Sequence, residues 1–125
     1  MRILLDTHVF LWAVAGSSQL KAGARKVILD ADMVFVSAAS IWEVAIKARL
    51  GKIEADPVAI AAAIEASGFI ELPVRAAHAA KVSQLPMIHN DPFDRLLVAQ
   101  AITEPLRLLT RDPVLSGYTD LVQVL

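Results

Sequence analysis

Five short apolar runs recur along this chain with helix-length segments between them, and that alternation narrows the fold more than any other feature. The runs lie at 2–5, 33–36, 69–72, 106–110 and 121–125. Such runs, bounded by Asp, Ser, Gly and Pro, fit short strands buried on both faces. The intervening segments carry helix punctuation. Asp6 or Thr7 can cap a helix over 7–15 that Gly16 stops. A second helix is expected over 19–31. Ser37 or Ser40 opens another that runs to about residue 50, where Gly51 ends it. Asp56-Pro57 starts an Ala-rich helix reaching about residue 67, and a further helix is expected over 75–85, before Pro86. Asp91-Pro92 then starts a helix over 92–103, with the aspartate as cap and the proline at a position that needs no N–H. Asp112-Pro113 caps a short turn. Strands alternating with helices define a three-layer α/β fold with a mainly parallel central sheet of four to five short strands, connected by right-handed crossovers.

The length, 125 residues, fits a single domain spanning 1–125, with no repeat, low-complexity tract or linker. The hydrophobic share of 56% exceeds what so small a fold ordinarily carries. A sheet covered on both faces absorbs such a surplus, and so does an interface with a partner. The net charge of −1 supplies no global basic field, so an enzyme acting on nucleic acid would need a local basic patch. Cysteine is absent, which excludes disulfides and thiol chemistry and fits a reducing compartment. The opening residues meet an acid at Asp6, unlike a signal peptide. The uncharged run 7–20 is too short, and too polar at 16–19, to cross a bilayer. A cytoplasmic protein without membrane attachment is expected.

In an open α/β sheet, ligands gather at the carboxyl ends of the strands. Acids fall at or near that edge repeatedly. Asp6 ends the first strand, Glu43 lies in the helix after the second, Asp94 begins the helix before the fourth, and Asp112 follows the fourth. Each has a plainer explanation. Asp6, Asp91 and Asp112 can be caps, Asp94 suits the positive end of a helix, and Glu43 can form an i,i+4 pair with Lys47. Glu43, however, sits in the apolar stretch Ser-Ile-Trp-Glu-Val-Ala-Ile, where a carboxylate needs a partner. Capping explains each aspartate singly but not why the acids collect at one edge. Gathered carboxylates repel and take up protons, and a divalent cation relieves that. An all-oxygen donor set favours Mg2+ or Mn2+, which in turn suggests phosphoryl chemistry. His8, His78 and His89 share no spacing. His78 is expected in a helix, at the surface or a partly buried edge, and His8 and His89 in structural roles, with a place near the rim of the site as the alternative. Trp12 and Trp42 are expected in the core or an interface.

Four motifs, Leu-Leu-Asp-Thr-His at 4–8, Ser-Ala-Ala-Ser-Ile-Trp-Glu-Val-Ala-Ile-Lys at 37–47, His-Asn-Asp-Pro-Phe-Asp-Arg-Leu-Leu-Val-Ala-Gln-Ala at 89–101 and Leu-Leu-Thr-Arg-Asp at 108–112, give the chain a family resemblance. It resembles the PIN-domain ribonucleases, and among them the VapC-type toxins of toxin–antitoxin pairs. The motifs stand in the family's order and spread over nearly the whole length. The resemblance implies a PIN fold and a Mg2+- or Mn2+-dependent endoribonuclease that hydrolyses RNA with metal-activated water. It makes Asp6, Glu43 and Asp94 catalytic metal ligands. Asp112 matches the fourth acidic position, which some relatives fill with Asn. Asp91 is a cap first, with an outer-sphere metal role as the alternative. Thr7 and Thr110 would orient carboxylates or contact phosphate. Lys47, Arg95 and Arg111, each a sequence neighbour of an acid or one turn from it, are candidates for RNA phosphate. A cognate antitoxin protein and a homodimer are the implied partners.

A non-catalytic PIN-like module that binds RNA or protein is the main competing reading. It would be expected to have lost one or more of the four acids. A haloacid-dehalogenase-like phosphotransferase is disfavoured, because that family places a second acid where this chain has His8.

Overall fold

The computed structural model describes all 125 residues. Its centre is β1 (Arg2–Leu5), flanked in parallel by β2 (Met33–Ser37) and β4 (Arg107–Thr110), with Leu4 opposite both Phe35 and Leu108. β3 (Ile70–Leu72) and β5 (Val122–Val124) complete a wholly parallel sheet in the order β3-β2-β1-β4-β5. The chain steps outward from β1 in one direction through β2 and β3, then returns to the other side of β1 as β4. The carboxyl ends of β1 and β4 therefore flank a topological switch point, where the connections leave in opposite directions and a crevice opens.

The period-2 alternation of β1 divides the core. Ile3 and Leu5 face one way, into a cluster with Val9 and Phe10 of α1 (Thr7–Ala15), Ala24 and Ile28 of α2 (Ala22–Asp30) and Ile64 of α4 (Pro57–Ala66). Leu4 faces the other way, among Leu97, Val98 and Ala101 of α6 (Pro92–Thr103), with Phe35, Leu85 and Leu115. α5 (Ala76–Lys81) packs beside α6 on that face. α3 (Ala38–Arg49) leaves the end of β2 and touches α1, α4 and α6. The sheet is thus sandwiched between helices in a three-layer α/β/α arrangement, which is where much of the apolar surplus goes. Leu29, Trp42, Leu50, Val58 and Met87 remain exposed.

Helix starts follow the capping residues of the sequence. The side chains of Asp6, Ser37, Asp56 and Asp91 accept from the N–H groups of Val9, Ala39, Val58 and Phe93 at 2.8, 3.0, 3.0 and 2.8 Å. Gly16, with φ 62°, closes α1 in the left-handed conformation that only glycine adopts cheaply. Asp56 caps far from the acidic edge, so it isolates the value of a cap. Asp56→Ala is expected to cost about 1 kcal/mol and Asp56→Asn almost nothing, as read from urea melts.

Three expectations need correction. The second helix begins at Ala22 and not at residue 19, because residues 17–20 form a turn in which Ser17 Oγ accepts from Gln19 N–H. The helix expected over 75–85 is α5 followed by a 3-10 turn, Val82–Gln84. There the Ser83 hydroxyl takes the Ala80 carbonyl, and the Val82 carbonyl is bonded by Arg95. His78 is buried and not at the surface. It accepts the Arg75 N–H at Nδ1, and its Nε2 lies 2.5 Å from Glu104.

Candidate active site

Asp6 is delivered by the end of β1 and is almost wholly buried. Its Oδ1 accepts the Val9 N–H at 2.8 Å, and its Oδ2 accepts the Thr110 hydroxyl at 2.5 Å. Thr110, at the end of β4, also accepts the Asp112 N–H at 3.0 Å. One threonine therefore ties the first acid to the backbone of the last across the switch point. Burial pushes the Asp6 carboxyl up from its ordinary range. The bonds from Thr110 and Val9 pull it down, and the charge of Glu43 adds to the rise.

Glu43 projects from α3 and is 2% exposed. Lys47, one turn on, donates to its Oε2 at 2.5 Å, and its Oε1 has no hydrogen-bond partner. Burial works against the charge of Lys47, but the hydrogen bond and charge of Glu43, with Asp91 and Asp94 behind it, raise the pKa of the amine. Lys47 stays charged and its nearest duty is to Glu43.

Asp91 and Asp94 divide the start of α6 between them. Asp91 Oδ1 accepts from both Phe93 N–H and Asp94 N–H, at 2.8 and 3.2 Å, so it is the cap. The Asp94 carboxylate looks outward to the other acids. Its pKa is raised to about 7, chiefly by burial, then by the charges of Asp91, Asp6 and Glu43, with His89 opposing. Asp112 spends Oδ1 on capping the turn at Val114, at 3.0 Å, and points Oδ2 at His89 Nε2, 2.9 Å away. His89 Nε2 is also 3.6 Å from Asp94 Oδ2.

Asp6, Asp94 and Asp112 thus line one cleft of about 440 Å3 with His8, Trp12, Arg111 and Pro113. Glu43 is not on its lining but lies within electrostatic reach of both Asp6 and Asp94. The donor set fits a divalent cation on two observations. Asp94 is partly buried beside Asp91, Asp6 and Glu43, whose charges raise its pKa, and Glu43 Oε1 is a buried acceptor without a partner.

The basic candidates separate. Arg111 lines the cleft, lies over the Trp12 ring at 5.5 Å, and donates from Nη1 to the Gln19 carbonyl, which leaves its other N–H groups free. Arg95 must be withdrawn as a phosphate ligand. It is 8% exposed and its guanidinium donates to the carbonyls of Pro86 and Val82 and to the Tyr118 hydroxyl, at 2.8, 3.2 and 3.1 Å. It fastens the segment before α6. Thr7 also differs from expectation: its hydroxyl bonds Ser40, at 2.9 Å, and no carboxylate. Sequence reasoning missed His89 as part of the site. The available signal was a histidine two residues before a capping aspartate, where Nδ1 can accept the aspartate N–H, as it does at 3.0 Å.

The family model described as the PIN domain matches residues 3–120. Ribonuclease VapC22 of Mycobacterium tuberculosis is 36% identical over 122 residues, covering 93% of this chain and 91% of its own. Among solved structures, VapBC2 from Rickettsia felis bound to a DNA fragment from its promoter superposes with a TM-score of 0.72 at 14% identity, over 99% of this chain and 98% of that one. A toxin–antitoxin complex from Klebsiella pneumoniae gives 0.69 at 17% identity, over 98% and 96%. At such identities these structures speak for the fold. The family model and the VapC22 relative, spanning nearly the whole length, go further: the chain belongs to the PIN-domain family.

Proposed function

We propose that this protein is a metal-dependent endoribonuclease and the toxin of a toxin–antitoxin pair, acting as one PIN domain over residues 1–125. The observation that carries the enzymatic reading is the gathering of Asp6, Asp94 and Asp112 in one cleft at the switch point, with buried Glu43 behind them. A non-catalytic module would be expected to have lost one or more of the four acids, and here all four positions are filled. The name of the VapC22 relative supports RNA as substrate. The toxin–antitoxin titles of the structural neighbours support a cognate antitoxin as partner. The exposed Leu29, Trp42, Leu50 and Val58 offer apolar surface for that antitoxin or for a second copy in a homodimer.

Asp6, Glu43 and Asp94 would hold the cation, Mg2+ or Mn2+, with Asp112 completing the set. When bound, it would supply water activated at neutral pH and would neutralise charge at the phosphate under attack. The chain's own residues do the rest. Thr110 and the Val9 N–H fix the Asp6 carboxylate in one rotamer, so it needs no reorganisation. Lys47 supplies Glu43 with a hydrogen-bonded counter-charge in an otherwise apolar helix. Asp91 sets the start of α6 and so the direction of Asp94, and an outer-sphere role for it would add to this. Arg111 is the cation on the cleft placed to meet RNA phosphate.

The test is cleavage of total RNA by the purified protein with Mg2+ or Mn2+ against EDTA, beside Asp6→Asn, which preserves the cap. Cleavage is expected only with metal and only in the unaltered protein. Cleavage that survives EDTA or Asp6→Asn would remove the site from the mechanism. RNA binding without any cleavage would favour the non-catalytic module.

A further inference from the structure

His89 lies among the acids, and its hydrogen bonds define what it can do there. The Asp91 N–H can only donate, so Nδ1, 3.0 Å away, must accept. An imidazole that accepts at Nδ1 carries its proton on Nε2. That proton points to Asp112 Oδ2 at 2.9 Å, with Asp94 Oδ2 at 3.6 Å. One ligand atom each from His89, Asp94 and Asp112 lies within 4.8 Å of the others, a spacing that by itself resembles a three-ligand metal site. The tautomer argues otherwise, because a ring nitrogen bearing a proton has no lone pair to offer a cation.

The backbone that carries the ring is also held. The His89 backbone N–H donates to the Tyr118 hydroxyl at 2.8 Å, and Arg95 donates to the same oxygen at 3.1 Å. Arg95 further bonds the Pro86 and Val82 carbonyls, so the segment that presents His89 is fastened independently of its imidazole. The other end of the Asp112 carboxylate is fixed by the Val114 N–H. With Oδ1 on the cap and Oδ2 on His89, the carboxylate has one orientation, beside Asp94.

We propose that His89 is a positioning residue of the cation site: through Nε2–H it holds the Asp112 carboxylate beside Asp94, and it does not ligate the cation. This rests on the metal site proposed above. Residues that orient a metal's carboxylates from behind typically change its affinity about 10- to 100-fold.

The experiment is calorimetric titration of Mn2+ and, separately, Co2+ into the unaltered protein, His89→Ala, His89→Gln, Asp112→Asn and the double variant His89→Ala with Asp112→Asn, with melting curves for each. Asn at 112 keeps the turn cap, and Gln at 89 keeps an N–H donor. His89→Ala is expected to weaken Mn2+ binding about 10-fold or more, His89→Gln to restore most of it, and His89→Ala to cost nothing further once Asp112 is Asn. Co2+ should lose as much as Mn2+, since no imidazole bond is broken. An unchanged Mn2+ affinity in His89→Ala overturns the proposal, as does an equal loss with and without the Asp112 carboxylate. A much larger loss for Co2+ than for Mn2+ also overturns it, because it would mark His89 as a direct ligand. If the unaltered protein binds neither ion, the cation site itself fails and this role falls with it.

Discussion

Asp94→Asn is expected to do opposite things to activity and to stability. It should lower RNA cleavage at least about 1,000-fold, because it removes a cation ligand and the charge that ligand supplies. In EDTA it should make the protein more stable at pH 8. The sign follows from where the proton sits. In the metal-free fold the carboxyl titrates at about 7, against an ordinary 3.8. Between those values the folded chain holds a proton that the unfolded chain has released. Stability from this group is therefore greatest at low pH, falls as pH rises from about 4 to about 7, and stays at its minimum above that. Each pKa unit is worth about 1.4 kcal/mol. The group is partly exposed, so screening reduces the total to about 2 kcal/mol, which corresponds to roughly 6 °C in Tm. An uncharged Asn does not titrate, so the variant should lose this pH dependence. Adding Mn2+ should raise the Tm of the unaltered protein and leave that of the variant nearly still. Melts in EDTA from pH 5 to pH 8, with and without metal, decide the matter. Equal pH slopes in the two proteins would show that Asp94 carries no such burden.

Arg95 carries the second large effect, and it is one of folding. Arg95→Met keeps the length and apolar stem of the side chain but removes its charged hydrogen bonds to the Val82 and Pro86 carbonyls and the Tyr118 hydroxyl, which keep only the N–H groups of Leu85, Ile88 and His89. A buried guanidinium with several backbone partners is costly to delete, and about 3 kcal/mol is expected, or roughly 10 °C in Tm. Hydrogen exchange should quicken over residues 82–91, the segment it fastens. RNA affinity per folded molecule should change little. An intact Tm with weakened RNA binding would return Arg95 to the cleft as a phosphate ligand.

What could be read from the sequence depended on how local the cue was. Strand ends and helix starts were legible because a cap, a proline at the first helical position or a closing glycine acts within a few residues, as at Asp91-Pro92 and Gly16. Lys47 was legible as a partner of Glu43, because residues four apart share a helix face. Arg95 misled for the complementary reason. Its neighbour Asp94 faces the acids, but successive residues on a helix point about 100° apart, so Arg95 turns toward the core side and the loop. His78 was misplaced because its partners, Glu104 and Gln100, lie in and beyond α6, out of reach of local pattern. The role of His89 depends on an acid 23 residues later and on a segment without regular structure, where no periodicity guides the reading.

The position of β1 at the centre of the sheet has a consequence for the order of events during synthesis. Asp6 is among the first residues made, and the threonine that fixes its carboxylate comes 104 residues later. At ordinary elongation rates that interval is about 5 to 20 seconds. Once Ser37 has been made β1 can pair with β2, but the switch point does not exist, because β4 has not been made. A chain released before Arg107 would carry three of the four acids and lack the strand that flanks the cleft. The nascent polypeptide is thus without an assembled centre until almost its last strand. Prematurely terminated products should be inert even where they fold in part.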